Sequence, residues 1–358
     1  MKSQIKILIK AMLGLFISVV LVGIYLIFSL TITEYKPEEK EKIEIKNISG
    51  KSIEKGQKIS LLTWNVGYGA LGDYADFFMD GGTKVTTSTE AQVNQNIKKI
   101  ASDIGKMNPD IIFLQEVDVK SKRSYGIDER AYLSSRLPEM EHTFAYNFKT
   151  MYVPYPVPAI GEVGSGILTF SKYHTIASTR VKLPCPFTYP TRIANLKRCL
   201  MVNRMKIKGN NKELVLVNLH LEAYDSGEGK AVQTKMLKEI LEKEESAGNY
   251  VIAGGDFNQT FSNVDHSAYP VISKDMWKAG KIEIADFSDA LSFYMDTKVP
   301  SCRFLDRPLQ KNETSKFQYY MIDGFIVSSN LKVNKLETKD FQFKNTDHNP
   351  VYMEVTLH

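Results

Sequence analysis

The sequence predicts an α/β domain of two packed mixed β-sheets flanked by helices, a four-layer sandwich, preceded by one transmembrane helix. Three observations carry this. A charge-free apolar run opens the chain. From Lys58 onward, short Val/Ile/Leu-rich segments alternate with segments of helical period, the pattern of strands buried on both faces with helices packed outside them. Several of those apolar segments end in Asn, Glu, His or Asp.

The opening run extends from Ala11 to Thr33 without a charge, and about 20 apolar residues suffice to cross a bilayer as a helix. Lys2, Lys6 and Lys10 precede it, and Glu34, Glu38 and Glu39 follow. The positive-inside tendency then predicts a cytoplasmic start over 1–10, a span over 11–33 and the rest of the chain outside the cell membrane. A cleaved signal peptide is the rival reading. Its apolar region is normally shorter and ends in small residues, whereas Ser29 to Thr33 offers no Ala-x-Ala-like site. A single-pass anchor is therefore expected. Residues 34–57, rich in Lys and Glu, read as a solvated linker or stalk. Residues 58–358 form the remaining domain, expected to be monomeric.

Within it, strands are expected at Ile59 to Val66, Asp110 to Val117, Gly166 to Ser171, Cys199 to Ile207, Leu214 to Leu221, Tyr250 to Ala253, Asp323 to Val327 and Val351 to Leu357. Helices are expected at Thr89 to Met107, with Val93, Ile97, Ile100 and Ile104 on one stripe, and at Ala231 to Glu245, with Val232, Met236, Leu237 and Ile240. A net charge of +5 with interspersed signs gives no basic stripe, so charge alone does not argue for nucleic acid. Three cysteines are too few for a disulfide scaffold. Cys185 and Cys199 could close one loop in an oxidising compartment, or all three could be free thiols.

The chemistry lies at the segment ends. Leu61-Leu62-Thr63-Trp64 leads to Asn65, Ile111 to Leu114 leads to Gln115 and Glu116, Leu214 to Val217 leads to Asn218 and His220, and Val251 to Gly255 leads to Asp256 and Asn258. In layered α/β folds the carboxyl ends of neighbouring strands converge on one crevice, so carboxylates, amides and an imidazole would meet there. Taken singly, each piece has a plain structural account: a turn for Gly254 to Asn258, a surface carboxylate for Glu116, a core histidine for His220, a loop start for Asp347-His348 before Asn349-Pro350. Their joint occurrence in this order favours a metal and phosphate site.

Thr63-Trp64-Asn65-Val66, Leu114-Gln115-Glu116-Val117, Asn218-Leu219-His220-Leu221, Gly255-Asp256-Phe257-Asn258, Ile322-Asp323-Gly324 and Thr346-Asp347-His348-Asn349-Pro350-Val351 resemble, in order, the motifs of the endonuclease/exonuclease/phosphatase superfamily. The resemblance implies a divalent-metal-dependent hydrolase of phosphate esters, with nuclease or phosphodiesterase activity expected first. A sphingomyelinase or phospholipase C-like activity is the alternative, and a catalytically inactive binding domain a distant third. It further implies Glu116 as principal metal ligand, with Asn65 beside it and Asp347 completing the site. Mg²⁺ suits such oxygen ligands, with Mn²⁺ as a substitute. His348 resembles the catalytic histidine and general base, and Asp323 the carboxylate that orients it. Asp256 and Asn258 resemble the pair that positions water and phosphate, and His220 a general acid or phosphate donor. The substrate would be nucleic acid, a nucleotide or a phospholipid headgroup, with Arg123, Tyr125 and Asn218 as candidate contacts. Arg192, Lys197 and Arg198, beside Tyr189, read first as a solvated basic loop and second as a small cluster that grips polyanions. Phe77, Phe78 and Met79 read either as core or as a loop that touches lipid or stacks a base.

Overall fold

A computed structural model describes residues 2–48, 50–225, 227–274, 276–310 and 316–358. Helix α1 (Lys2–Ile32) is apolar along most of its length and exposes nearly all its apolar side chains. It is long and apolar enough to cross a membrane, a property that a signal sequence shares.

Two large sheets follow. The first has 8 strands, running from the edge as Lys40–Lys42, Thr175–Lys182, Cys199–Lys208, Glu213–His220, Tyr250–Asp256, Asp323–Ser328 and Leu291–Tyr294, with Ile53–Glu54 also pairing to Cys199–Lys208. The second has 6, in the order Leu331–Thr338, Val351–Leu357, Lys58–Asn65, Ile111–Asp118, Gly161–Ser171 and Glu141–Val153. Each sheet is mixed: Glu213–His220 is parallel to Tyr250–Asp256, and Lys58–Asn65 to Ile111–Asp118.

Strand alternation sorts the apolar residues into layers. Leu61, Phe113, Leu214, Leu216, Ile252 and Phe325 meet between the sheets. Leu62, Trp64, Ile112 and Leu114 turn outward, onto Ile97, Ile100 and Ile104 of α2 (Glu90–Met107) and Leu133 of α3 (Glu129–Arg136). On the far side, Val215, Val217 and Val251 pack on Leu237 and Leu241 of α4 (Glu228–Ser246). Helix α2 starts on a capping box: Gln92 N donates to Thr89 Oγ1, and Gln92 Oε1 accepts from Thr89 N, satisfying two amides that a helix start leaves open. The result is the expected four-layer sandwich.

The sequence is less informative at the edges. Residues 34–48 and 50–57, within the span expected as a solvated stalk, are laid along the domain. Lys40–Lys42 adds an antiparallel edge strand to Thr175–Lys182, Ile53 is buried beside Ile207, and Lys46 bridges to His142. Strands Glu141–Val153, Thr175–Lys182 and Leu331–Thr338 and helix α3 were not anticipated either. All three cysteines are free.

Candidate active site

The apolar layer between the sheets becomes polar at one end. Alternation puts Asn65 on the face of Leu61, Asn218 and His220 on that of Leu214 and Leu216, and Asp256 on that of Ile252. His220 and Asp256 thereby reach a cleft of about 380 Å³, with Asn65 buried directly behind Asp256 and Asn218 one step deeper in the core. Glu116 needs a further device, because alternation would turn it to the helix side with Leu114. A register shift between Leu114 and Val117 and a left-handed backbone at Glu116 (φ 55°) re-aim it into the cleft, as β-bulges do. Asn258 (φ 50°) is held in the same region just after its strand.

Asn65 Nδ2 donates to Glu116 Oε1 at 3.2 Å and to Asp256 Oδ2 at 3.1 Å, while its Oδ1 accepts from Gly67 N. The Asp256 carboxylate oxygen also lies 3.4 Å from His220 Nε2 and 3.8 Å from His348 Nε2. His348 Nδ1 is 2.8 Å from Asp323 Oδ2. Asn258 donates to the Leu221 carbonyl, and its own amide donates to Asp256 Oδ1. Asp347, held through Thr346 Oγ1, which also reaches the Asn65 carbonyl, lines the same cleft as Glu116. The eight residues expected as catalytic or metal-binding thus converge. Of the three candidate substrate contacts, only Arg123 lines the cleft. Tyr125 donates its hydroxyl to the Ser88 carbonyl. Asn218 is wholly buried, bridging Gln115 to Leu168 and Thr169, and ties the sheets together beneath the site.

The electrostatics follow from burial and crowding. Burial, reinforced by Asp323, pushes the Asp256 carboxyl far above the usual range. Burial likewise raises Asp347 to about 6, with His348 opposing and Glu116 adding to the shift. For His348, burial pulls downward, but Asp323, Cys302 and Asp347 raise it well above an ordinary imidazole. Burial, then Arg198 and His348, hold His220 well below that value, so it is neutral near pH 7. Glu116 and Asp347 line one cleft and repel each other, and their hard carboxylate oxygens fit a divalent cation, whose charge would relieve that repulsion.

The profile of the endonuclease/exonuclease/phosphatase family matches residues 62–304. The chain belongs to that family. General phosphoesterase activity comes with membership. Solved structures of the same fold include an endonuclease/exonuclease/phosphatase from Beutenbergia cavernae (16% identity, TM-score 0.56, 84% of this chain and 72% of that one). Others are D. rerio TDP2 humanized by 14 mutations (15%, 0.51, 84% and 99%) and the human Nocturnin catalytic domain with bound sulfate (15%, 0.51, 88% and 97%). No curated protein matches.

Beside this family site stand Asp118 and Tyr68, to which the motifs give no role. Asp118, fully buried, takes the Arg123 guanidinium through two bonds of 2.9 and 3.1 Å, and Arg123 in turn stacks 3.6 Å over the Tyr68 ring. Their signal was present: Asp118 stands two residues beyond Glu116. Arg192, Lys197 and Arg198 do not form a solvated loop. Arg198 is buried against Glu222 at 3.2 Å and donates to the His220 carbonyl, while Lys197 and Arg192 close on Glu34. The basic spacing gave no hint that acids 24 and 158 residues away would claim these groups.

Proposed function

We propose that this chain is a divalent-metal-dependent phosphodiesterase, held outside the cell membrane by α1. The observation that carries the reading is Asp256 Oδ2, set 3.8 Å from His348 Nε2 and 3.4 Å from His220 Nε2. A gap of 3.8 Å is too long for a direct hydrogen bond and leaves room for one water bonded to both groups.

In this reading Asp256 and His348 hold the attacking water and receive its proton, with Asp323 fixing the imidazole through Nδ1. Glu116 and Asp347, with Asn65 beside them, would hold a Mg²⁺ or Mn²⁺ ion, which would supply positive charge to the phosphate oxygens and weaken the acidic field around His348. Neutral His220 donates from Nε2 to a non-bridging or leaving oxygen. Arg123, locked by Asp118 and Tyr68, adds a fixed cation at the wall. Asn258 positions phosphate from the Asp256 side.

The full chain in detergent, given bis(p-nitrophenyl) phosphate, DNA or RNA with Mg²⁺ or Mn²⁺, tests this reading. Chelator-sensitive hydrolysis of a diester supports it. Hydrolysis that persists in chelator contradicts the metal assignment, and hydrolysis of monoesters alone contradicts the diester assignment.

A further inference from the structure

The cleft is walled by more than its polar floor. Phe77, Phe78, Tyr155, Phe187, Trp277 and Phe304 line it, and Phe78 meets Tyr155 edge-on across the mouth, their centroids 6.2 Å apart. Such a lining suits a substrate with a large apolar part rather than a bare polyanion.

The mouth also has an orientation. The loop that supplies Phe187, Ala194 and Leu196 to the cleft uses its other side to hold the end of α1. Thr31 Oγ1 lies 3.4 Å from the Tyr189 hydroxyl, and Leu30 is buried although nearly all of α1 is exposed. Glu34, with its side chain 2% exposed, accepts from Arg192 Nε at 3.0 Å and pairs with Lys197 at 3.4 Å. Tyr35 packs edge-on against Tyr146, and Lys40–Lys42 then joins the sheet. The apolar helix is therefore clamped to the domain beside the cleft. Its end also touches strand Glu141–Val153, whose hairpin, closed between Val153 and Gly161, raises a rim of bare apolar groups: Met151, Tyr155 at 70% exposure and Val157 at 95%. Tyr189, half exposed, completes it. A single exposed apolar residue means little, but several on one rim next to an apolar helix end mark a contact surface, and Tyr is favoured where lipid meets water.

We propose that this rim rests on the membrane that α1 crosses and that the cleft takes a phospholipid. The phosphodiester reaches Glu116, Asp256 and His348 while the lipid's apolar part lies along the aromatic wall. The inference rests on the phosphodiesterase reading above. In the step, water oxygen bonds to phosphorus and the bond from phosphorus to the lipid alcohol oxygen breaks. One water proton ends on that alcohol, and the phosphorylated headgroup keeps the new oxygen. No oxidant or co-substrate is needed.

The test uses the full chain reconstituted with Mg²⁺ into vesicles of equal parts phosphatidylcholine, phosphatidylethanolamine, phosphatidylglycerol and sphingomyelin. Released phosphorylated headgroup is measured beside hydrolysis of soluble bis(p-nitrophenyl) phosphate. The double variant Met151→Glu, Val157→Glu alters two rim residues that do not line the cleft. We expect it to lose roughly tenfold of the vesicle activity, because charges replace two apolar contacts with the bilayer, and to keep the soluble activity. A Val157→Trp variant should also gain fluorescence that brominated lipid quenches. Soluble turnover without headgroup release, equal loss on both substrates, an unquenched tryptophan, or cleavage of a DNA oligonucleotide in place of lipid would overturn the lipid proposal and leave the phosphodiesterase reading standing. A folded chain silent on every substrate would overturn both.

Discussion

His348 Nδ1 and Asp323 Oδ2 lie 2.8 Å apart, both buried, with the imidazole Nε2 facing Asp256. The carboxylate fixes the ring's tautomer and raises its affinity for a proton. Asp323→Asn should leave the fold intact and lower kcat by roughly 10²- to 10⁴-fold. The His348 titration, followed by NMR of the imidazole, should move to lower pH. An unshifted titration would mean that Asp323 does not control this imidazole.

Asp118 and Arg123 act as one unit. Asp118→Asn leaves a half-buried guanidinium short of its counter-charge, at a cost of at most about 3–5 kcal/mol, readable as a lower midpoint in urea. Arg123→Lys keeps the charge but loses the two-bond fork and the stack on Tyr68. A KM about tenfold higher with kcat little changed is expected.

Gly255 sits at φ 150°, opposite Leu219 in the parallel pairing, and a Cβ there would come 1.9 Å from the Leu219 carbonyl oxygen. Gly255→Ala must part the two strands that carry His220 and Asp256. We expect a loss of about 3 kcal/mol or more, measured by thermal unfolding, together with loss of activity.

Asp347, raised by burial to about 6, gives the metal-free protein a pH dependence of definite sign. A carboxyl that binds its proton more tightly when folded stabilises fully below its unfolded value near 4, and that stability is lost as pH rises through about 6. In chelator, Asp347→Asn should therefore gain on wild type by at most about 3 kcal/mol between pH 4 and pH 7. The wild type should recover the difference when Mg²⁺ is added at pH 7. A difference that stays flat with pH would mean that burial does not raise the Asp347 carboxyl.

Much of the site was legible because its residues obey strand alternation. Asn65, His220 and Asp256 each extend an apolar face by one polar step, so the motif and the geometry coincide. Asn218 shares the His220 face one step deeper, where the same alternation places it inside the core rather than in the cleft. Glu116 was legible by its motif only, since its bulge breaks the alternation that would have located it. The edge strand Lys40–Lys42 left no trace because its pairing is made by backbone groups, and its side chains carry the charges of a solvated linker. Glu141–Val153 alternates buried and part-buried positions up to Phe148, but His142, Asn147 and Thr150 interrupt its apolar pattern. The ion pairs of Arg198 and Glu34 depend on tertiary proximity that no local pattern encodes.

We propose that Glu116, Asp256 and His348 serve one metal-dependent centre. The most direct measurement is the Mg²⁺-titrated rate of bis(p-nitrophenyl) phosphate hydrolysis by the full chain and by Glu116→Gln, Asp256→Asn and His348→Ala, with near-ultraviolet circular dichroism as the check on folding. Each folded variant should lose at least about 10²-fold, with Glu116→Gln alone also raising the Mg²⁺ concentration needed for half-maximal rate. Wild-type rates in any of the three, or a rate in the parent chain indifferent to Mg²⁺ and chelator, would contradict it.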